Sequence, residues 1–193
     1  MVAADSPDSS GGALAPRRQL VTGPARSGKS RWAEHLARQH PGPVLYVATA
    51  GRHLEDPHWQ ARLEIHRQRR PPHWALAELQ EGLADGLSHL QPTELALVDA
   101  LGSWVAWGLE QPPLSWQASV EALASAVEAC PGRLILVSEQ TGWGVVPPTA
   151  IGGLFRDRLG ALEQELARRC QRSWLVVAGR ALDLQAISEP VPR

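Results

Sequence analysis

Two rhythms alternate along this chain. Short apolar runs, of the kind buried on both faces of a sheet, are VLYVATA (44–50), ELALVDAL (94–101), RLILVSE (133–139) and SWLVVAG (173–179). RQLVT (18–22) is a shorter run of the same type, and HWALAEL (73–79) a weaker one. Between them lie stretches with helical spacing. Trp116, Val120, Leu123, Val127 and Cys130 recur at steps of four and three. Phe155, Leu159, Leu162, Leu166 and Cys170 form a second stripe, so each set lies on one face of a helix. Ser30 to His40 reads as a helix ended by Pro41-Gly42. Asp56 to Arg70 reads as another, opened by an Asp-Pro pair and stopped before Pro71-Pro72. Strands separated by helices predict an α/β fold, a mainly parallel sheet with helices on both faces. The pattern holds no internal repeat and no sign of a second domain.

The 193 residues suffice for one such domain with a sizeable core, and 44% hydrophobic content fits a folded chain. The opening MVAADSPDSSGGALAPRR is small and polar and lacks a signal peptide's apolar core. Residues 1–17 are therefore expected to be a flexible extension and 18–193 the domain. No apolar run is long enough to cross a bilayer, so a cytoplasmic protein without stable membrane insertion is expected. A net charge of −1 argues against a general nucleic-acid binder, which needs many cationic phosphate contacts. Neither Cys130 nor Cys170 has metal-ligand spacing around it, and both read as buried reduced thiols. Eight tryptophans stand against one tyrosine and one phenylalanine. Some of them are candidate stacking platforms for a planar ligand.

The chemistry starts at Gly23-Pro24-Ala25-Arg26-Ser27-Gly28-Lys29-Ser30, a complete G-x-x-x-x-G-K-[ST] phosphate loop. A predicted strand precedes it and a predicted helix follows, as in a P-loop NTPase-type domain. Successive backbone N–H groups and a helix N-terminus offer positive potential to phosphate oxygens. Lys29 is expected to reach the β- and γ-phosphates, and Ser30 to ligate Mg²⁺. The loop thus binds a nucleoside triphosphate, but it does not name the reaction. Asp99 ends the ELALVD strand, where an acid can hold or orient Mg²⁺; otherwise it caps the segment that follows.

A histidine adds a second possibility. Trp59, Leu63 and His66 fall on one helical face, which is the ordinary setting of a packed histidine. Yet Arg62, Arg67, Arg69 and Arg70 surround it and would attract a triphosphate. An imidazole beside a phosphate can attack phosphorus and form a covalent intermediate. The pattern alone does not choose His66 over His58 or His73.

The segments LVTGPARSGKSRWAE, VLYVATA, ARLEIHRQRRPPHW, ELALVDALGSWVAWGL, GWGVVP, FRD and WLVVAG come in order from Leu20 to Gly179. Together they resemble the bifunctional adenosylcobinamide kinase/adenosylcobinamide-phosphate guanylyltransferase family of cobalamin biosynthesis. The resemblance implies two reactions. ATP or GTP phosphorylates adenosylcobinamide; GTP then guanylylates a histidine, and GMP passes to adenosylcobinamide phosphate. By the motif, the histidine is His66. Arg67, Gln68, Arg69 and Arg70 are then nucleotide contacts, with Ala48, Thr49, Ala50, Glu78 and Asp99 at the other nucleotide positions. Gly23 to Ser30 is the shared loop, and a homotrimer is implied.

The chain departs from the family's usual pattern at Gln68 and Arg69, at Glu139-Gln140 and at the neutral stretch PTAIGG (148–153). Glu139 and Gln140 are expected near the acceptor site. Two other readings remain: a P-loop kinase of another small alcohol, with His66 merely packed, or a nucleotide-dependent switch without a small-molecule acceptor.

Overall fold

The computed structural model describes residues 16–50, 64, 69–144 and 148–192. Most of the predicted extension, most of the predicted helix over 56–70, and His66, Arg67 and Gln68 lie outside these residues.

Seven strands make one sheet in the order β3-β2-β4-β5-β1-β6-β7. In chain order they are β1 (Arg18–Thr22), β2 (Val44–Ala48), β3 (Ala75–Glu78), β4 (Leu95–Asp99), β5 (Arg133–Val137), β6 (Arg172–Val177) and β7 (Arg180–Asp183). The first six run parallel, and β7 returns antiparallel to β6. That return uses the two residues Ala178 and Gly179, both at positive φ, the backbone of a tight hairpin whose twist matches the strands.

The described helices are α1 (Lys29–Arg38), α2 (Leu83–Ser88), α3 (Leu101–Trp107), α4 (Pro113–Ala129), α5 (Ala150–Ala167) and the short α6 (Leu184–Ile187). Successive residues of a strand point to opposite faces, and the cores divide accordingly. Ala96, Val98, Leu134 and Leu136 face α2, α3, α4 and α5. Leu95, Leu97, Ile135 and Val137 face the other way, toward α1, Tyr46 and Trp74. Helices on both faces are thus observed. The two predicted stripes bury as expected: Leu123 and Val127 of α4 and Leu159, Leu162 and Leu166 of α5 lie in the first core.

Cys130 and Cys170 are buried and free. Burial pushes both thiols up, Cys170 to about 12. Most of the described tryptophans pack internally. Trp32 stacks on His35 and meets Trp174 edge-on, and Trp104 touches Trp107 and Trp116. Trp143 alone among the described ones is largely exposed, at 59%.

Candidate nucleotide and metal site

Parallel pairing brings the C-terminal ends of six strands to one edge, the edge where α/β sheets bind ligands. One register row crosses it: Glu78 on β3, Ala48 on β2, Asp99 on β4, Val137 on β5 and Val21 on β1. Strands stand about 4.8 Å apart, so Asp99 is roughly 10 Å from β1 and Glu78 roughly 19 Å.

The loop leaves β1 at Gly23. A Cβ there would lie 2.2 Å from the carbonyl oxygen of Val176, so only glycine lets the loop pass β6. Ser27 N–H donates to the Pro24 carbonyl at 3.3 Å and closes the turn. Arg26 and Gly28 both adopt left-handed backbone, at φ 59° and 101°, which Gly28 tolerates without a Cβ penalty. No side chain caps α1, so its leading N–H groups are available to an anion. Ser27 Oγ is buried and has no hydrogen-bond partner among the described residues. Lys29 folds back over the loop, its Nζ 3.5 Å from the Pro24 carbonyl.

Three elements then meet at Asp99. Ser30 Oγ approaches Asp99 Oδ1 at 3.4 Å, and the Tyr46 hydroxyl donates to Asp99 Oδ2 at 2.9 Å. A serine hydroxyl beside one carboxylate is a hard oxygen donor set. It suits Mg²⁺, which binds through one or two protein groups and completes its shell with water and phosphate oxygens. Among the described residues no group of three or more His, Cys, Asp or Glu could hold a metal by itself.

One helical turn past Ser30, Glu34 is buried and accepts from Arg69 Nη2 at 3.1 Å. Arg38 donates to the Arg69 carbonyl at 2.9 Å, and the Arg70 guanidinium lies 5.5 Å from the Tyr46 ring centroid. Burial raises the Glu34 carboxyl, Arg69 opposes that rise, and the charge of Asp99 adds to it. The described half of the basic tetrad therefore docks on α1 and β2. Thr49 is fully buried and donates to the Ala100 carbonyl, tying the ends of β2 and β4 together.

The end of β5 is equally engaged. Glu139 Oε2 accepts from Gly102 N–H at 3.0 Å. Gln140 N–H donates to the Gly23 carbonyl at 3.0 Å, and its side chain donates to Thr22 Oγ1 at 3.1 Å and to Glu163. Thr22 in turn donates to Glu163 Oε2 at 2.8 Å. These bonds fasten α5 and β5 beneath the start of the loop.

Sequence reasoning brought together the loop and Asp99, and the structure places them side by side. It missed Glu34, Tyr46 and Glu163. For Glu34 the only signal was its position four residues after Ser30, on the same helical face.

The family model for cobinamide kinase / cobinamide phosphate guanyltransferase matches residues 19–184. The chain belongs to this family. The match runs from inside β1 to the start of α6, and so contains the loop, Asp99, the basic segment and Glu163. The bifunctional adenosylcobalamin biosynthesis protein CobU of Escherichia coli is 37% identical over 176 residues, covering 83% of this chain and 95% of the relative. CobP of Pseudomonas aeruginosa, of the same description, is 40% identical over 170 residues, with 87% and 97% covered. Salmonella typhimurium CobU is 35% identical over 175 residues. A solved structure from Pyrococcus horikoshii shares 8% identity, covers 90% of this chain and 88% of its own, and superposes at a TM-score of 0.51. That likeness concerns the fold alone.

Proposed function

We propose that this chain performs both activities of its family through one nucleotide site. It phosphorylates adenosylcobinamide with ATP or GTP. It then transfers GMP from GTP, through guanylylated His66, to adenosylcobinamide phosphate, yielding adenosylcobinamide-GDP and pyrophosphate. The observation that supports this best is the Arg69–Glu34 contact. It anchors a residue three positions after His66 to the helix that the phosphate loop itself begins.

The residue roles follow from chemistry. Backbone N–H groups of Gly23 to Ser30, with Lys29, offset phosphate charge. Ser30 and Asp99 would hold Mg²⁺. When bound, Mg²⁺ neutralises charge on the transferring phosphate oxygens. The His66 imidazole attacks the α-phosphorus; the N–P bond forms as the bond to the bridging oxygen breaks, and pyrophosphate leaves with the electron pair. An oxygen of the acceptor phosphate then attacks the same phosphorus and releases His66. Arg67, Gln68 and Arg70, with Ala48, Thr49 and Ala50, border the nucleotide. Glu78, at the far end of the register row, is assigned to the guanine edge, whose paired N–H donors a carboxylate can accept. Arg69 borders the nucleotide as well, its Nη2 held by Glu34 at 3.1 Å, since a guanidinium fork can engage a carboxylate and phosphate oxygens together. We further assign a cytoplasmic homotrimer without nucleic-acid partners. No helix among the described residues is long and apolar enough to cross a membrane.

GTP labelled at the α-phosphate tests this reading. With Mg²⁺, acid-labile label is expected to stay on the denatured chain and to vanish in His66→Ala, which keeps kinase activity. Lys29→Ala is expected to lower both half-reactions about 100-fold or more. A chain that binds GTP, takes no label and still phosphorylates an alcohol would be a plain kinase. Sedimentation at assay concentration checks the trimer.

A further inference from the structure

We infer that Tyr46 is a positioning residue for Asp99: its hydroxyl engages one carboxylate oxygen so that the other faces Ser30. This rests on the reading of Ser30 and Asp99 as the metal-holding pair.

The strand pattern sets up the contact. Leu95, Leu97 and Asp99 alternate onto the face of β4 that α1 covers, and Tyr46 lies on the same face of the neighbouring β2. Tyr46 pairs in register with Leu97, which makes Asp99 its diagonal neighbour two residues on. With parallel strands about 4.8 Å apart and two residues rising about 6.6 Å, the two positions stand about 8 Å apart, within reach of a tyrosine but not of a short side chain. The ring is only 6% exposed, and the Arg70 guanidinium lies near it. Its position is thus held independently of the hydroxyl.

A lone carboxylate at a strand end can rotate and present either oxygen. Here the Tyr46 hydroxyl donates to Oδ2 at 2.9 Å, while Oδ1 lies 3.4 Å from Ser30 Oγ. A hydrogen bond to an ionised acceptor is stronger than a neutral one, so Oδ2 stays occupied and Oδ1 stays directed at the loop. Partners of this kind fix the orientation of metal ligands, and their loss lowers metal affinity by about 10–100-fold. The competing view is that Tyr46 is a core ring whose hydroxyl takes the nearest acceptor. That view predicts lost stability and an unchanged response to metal.

The test uses a fluorescent GTP analogue, whose binding is measured by titration at increasing Mg²⁺. Tyr46→Phe keeps the ring. It is expected to raise the Mg²⁺ concentration for half-maximal enhancement about tenfold and to leave Mg²⁺-free binding unchanged. Asp99→Asn, run in parallel, is expected to displace the curve further. If Tyr46→Phe follows the wild-type curve while Asp99→Asn is displaced, the inference fails and the metal reading stands. Weakened binding by Tyr46→Phe to the same degree with and without Mg²⁺ would also overturn it. If Asp99→Asn itself follows the wild-type curve, the metal reading fails and the inference with it.

Discussion

Glu34 and Arg69 show how much one buried pair asks of its two members. The Glu34 side chain is 6% exposed and that of Arg69 27%. Removing one member of such a pair strands the other charge in low dielectric, at a cost of about 3–5 kcal/mol. Replacing both by apolar groups of similar size is often nearly neutral. Arg69→Ala is therefore expected to lower unfolding free energy by about 3 kcal/mol. The double variant Glu34→Leu/Arg69→Met should recover most of that, as read by urea denaturation. Equal losses in the single and double variants would mean that the pair is not the source. The sequence showed Arg69 as a cation in a basic run and, by the motif, as a nucleotide contact, but not as half of a buried pair. Its partner lay hidden because an acid in SRWAEHLARQH looks like any exposed helix residue. The loop was legible because its glycines, lysine and serine are required together, whereas burial of a single acid leaves no compositional trace.

Among the elements, long periodic ones were readable and short ones were not. The stripes of α4 and α5 and the apolar runs of β2, β4 and β5 appear where the pattern put them. α2 and α3 were missed. Each spans fewer than two full turns, too short for a 3.6-residue period to emerge. α3 also buries several sides at once, with Leu101, Gly102, Trp104 and Val105 all buried. β7 was missed because the hairpin signal Ala178-Gly179 lies at the end of an apolar run that already read as complete. The helix α5 begins at Ala150, five residues before the stripe starts at Phe155. Thr149 explains this, since its Oγ1 accepts from Gly152 N–H at 3.2 Å. With Gly152 and Gly153 in the first turn, intrinsic propensity is poor and the cap carries the start. Thr149→Ala is expected to cost about 1 kcal/mol, with amide exchange rising first at residues 150–153. Leu162→Ala, in the buried stripe, is expected to cost about 2–5 kcal/mol and to accelerate exchange along the whole helix.

At the scale of the whole molecule, buried ionisable groups make stability depend on pH. Burial raises the carboxyls of Glu163 and Glu34 above 4.5, against opposing hydrogen bonds from Thr22 and Gln140 to Glu163 and the Arg69 charge beside Glu34. The folded chain therefore binds more protons than the unfolded chain just above that value. The corresponding stability is full below pH 4.5 and is lost as pH rises through the folded values. Glu165 acts in the opposite sense, since its hydrogen bond from Arg169 lowers it, but it is about one-third exposed, at 34%, and solvent screens the pair. A second loss is expected in alkali. There the unfolded thiols ionise near 9 while buried Cys170 keeps its proton to about 12. Glu163→Gln separates the two stages, because the amide has the shape of the acid but no charge to bury. Melting temperatures of wild type and Glu163→Gln, taken from pH 4 to 10, should converge or cross at the acid end and separate as pH rises toward neutral, the wild type losing ground. Above pH 9 the two should fall in parallel. Parallel curves over the acid stage would mean that Glu163 titrates as in the unfolded chain and that its partners fully offset its burial. The same residue fastens α5 and β5 beneath the phosphate loop, so the wild-type loss toward neutral pH should be accompanied by weaker binding of the fluorescent GTP analogue.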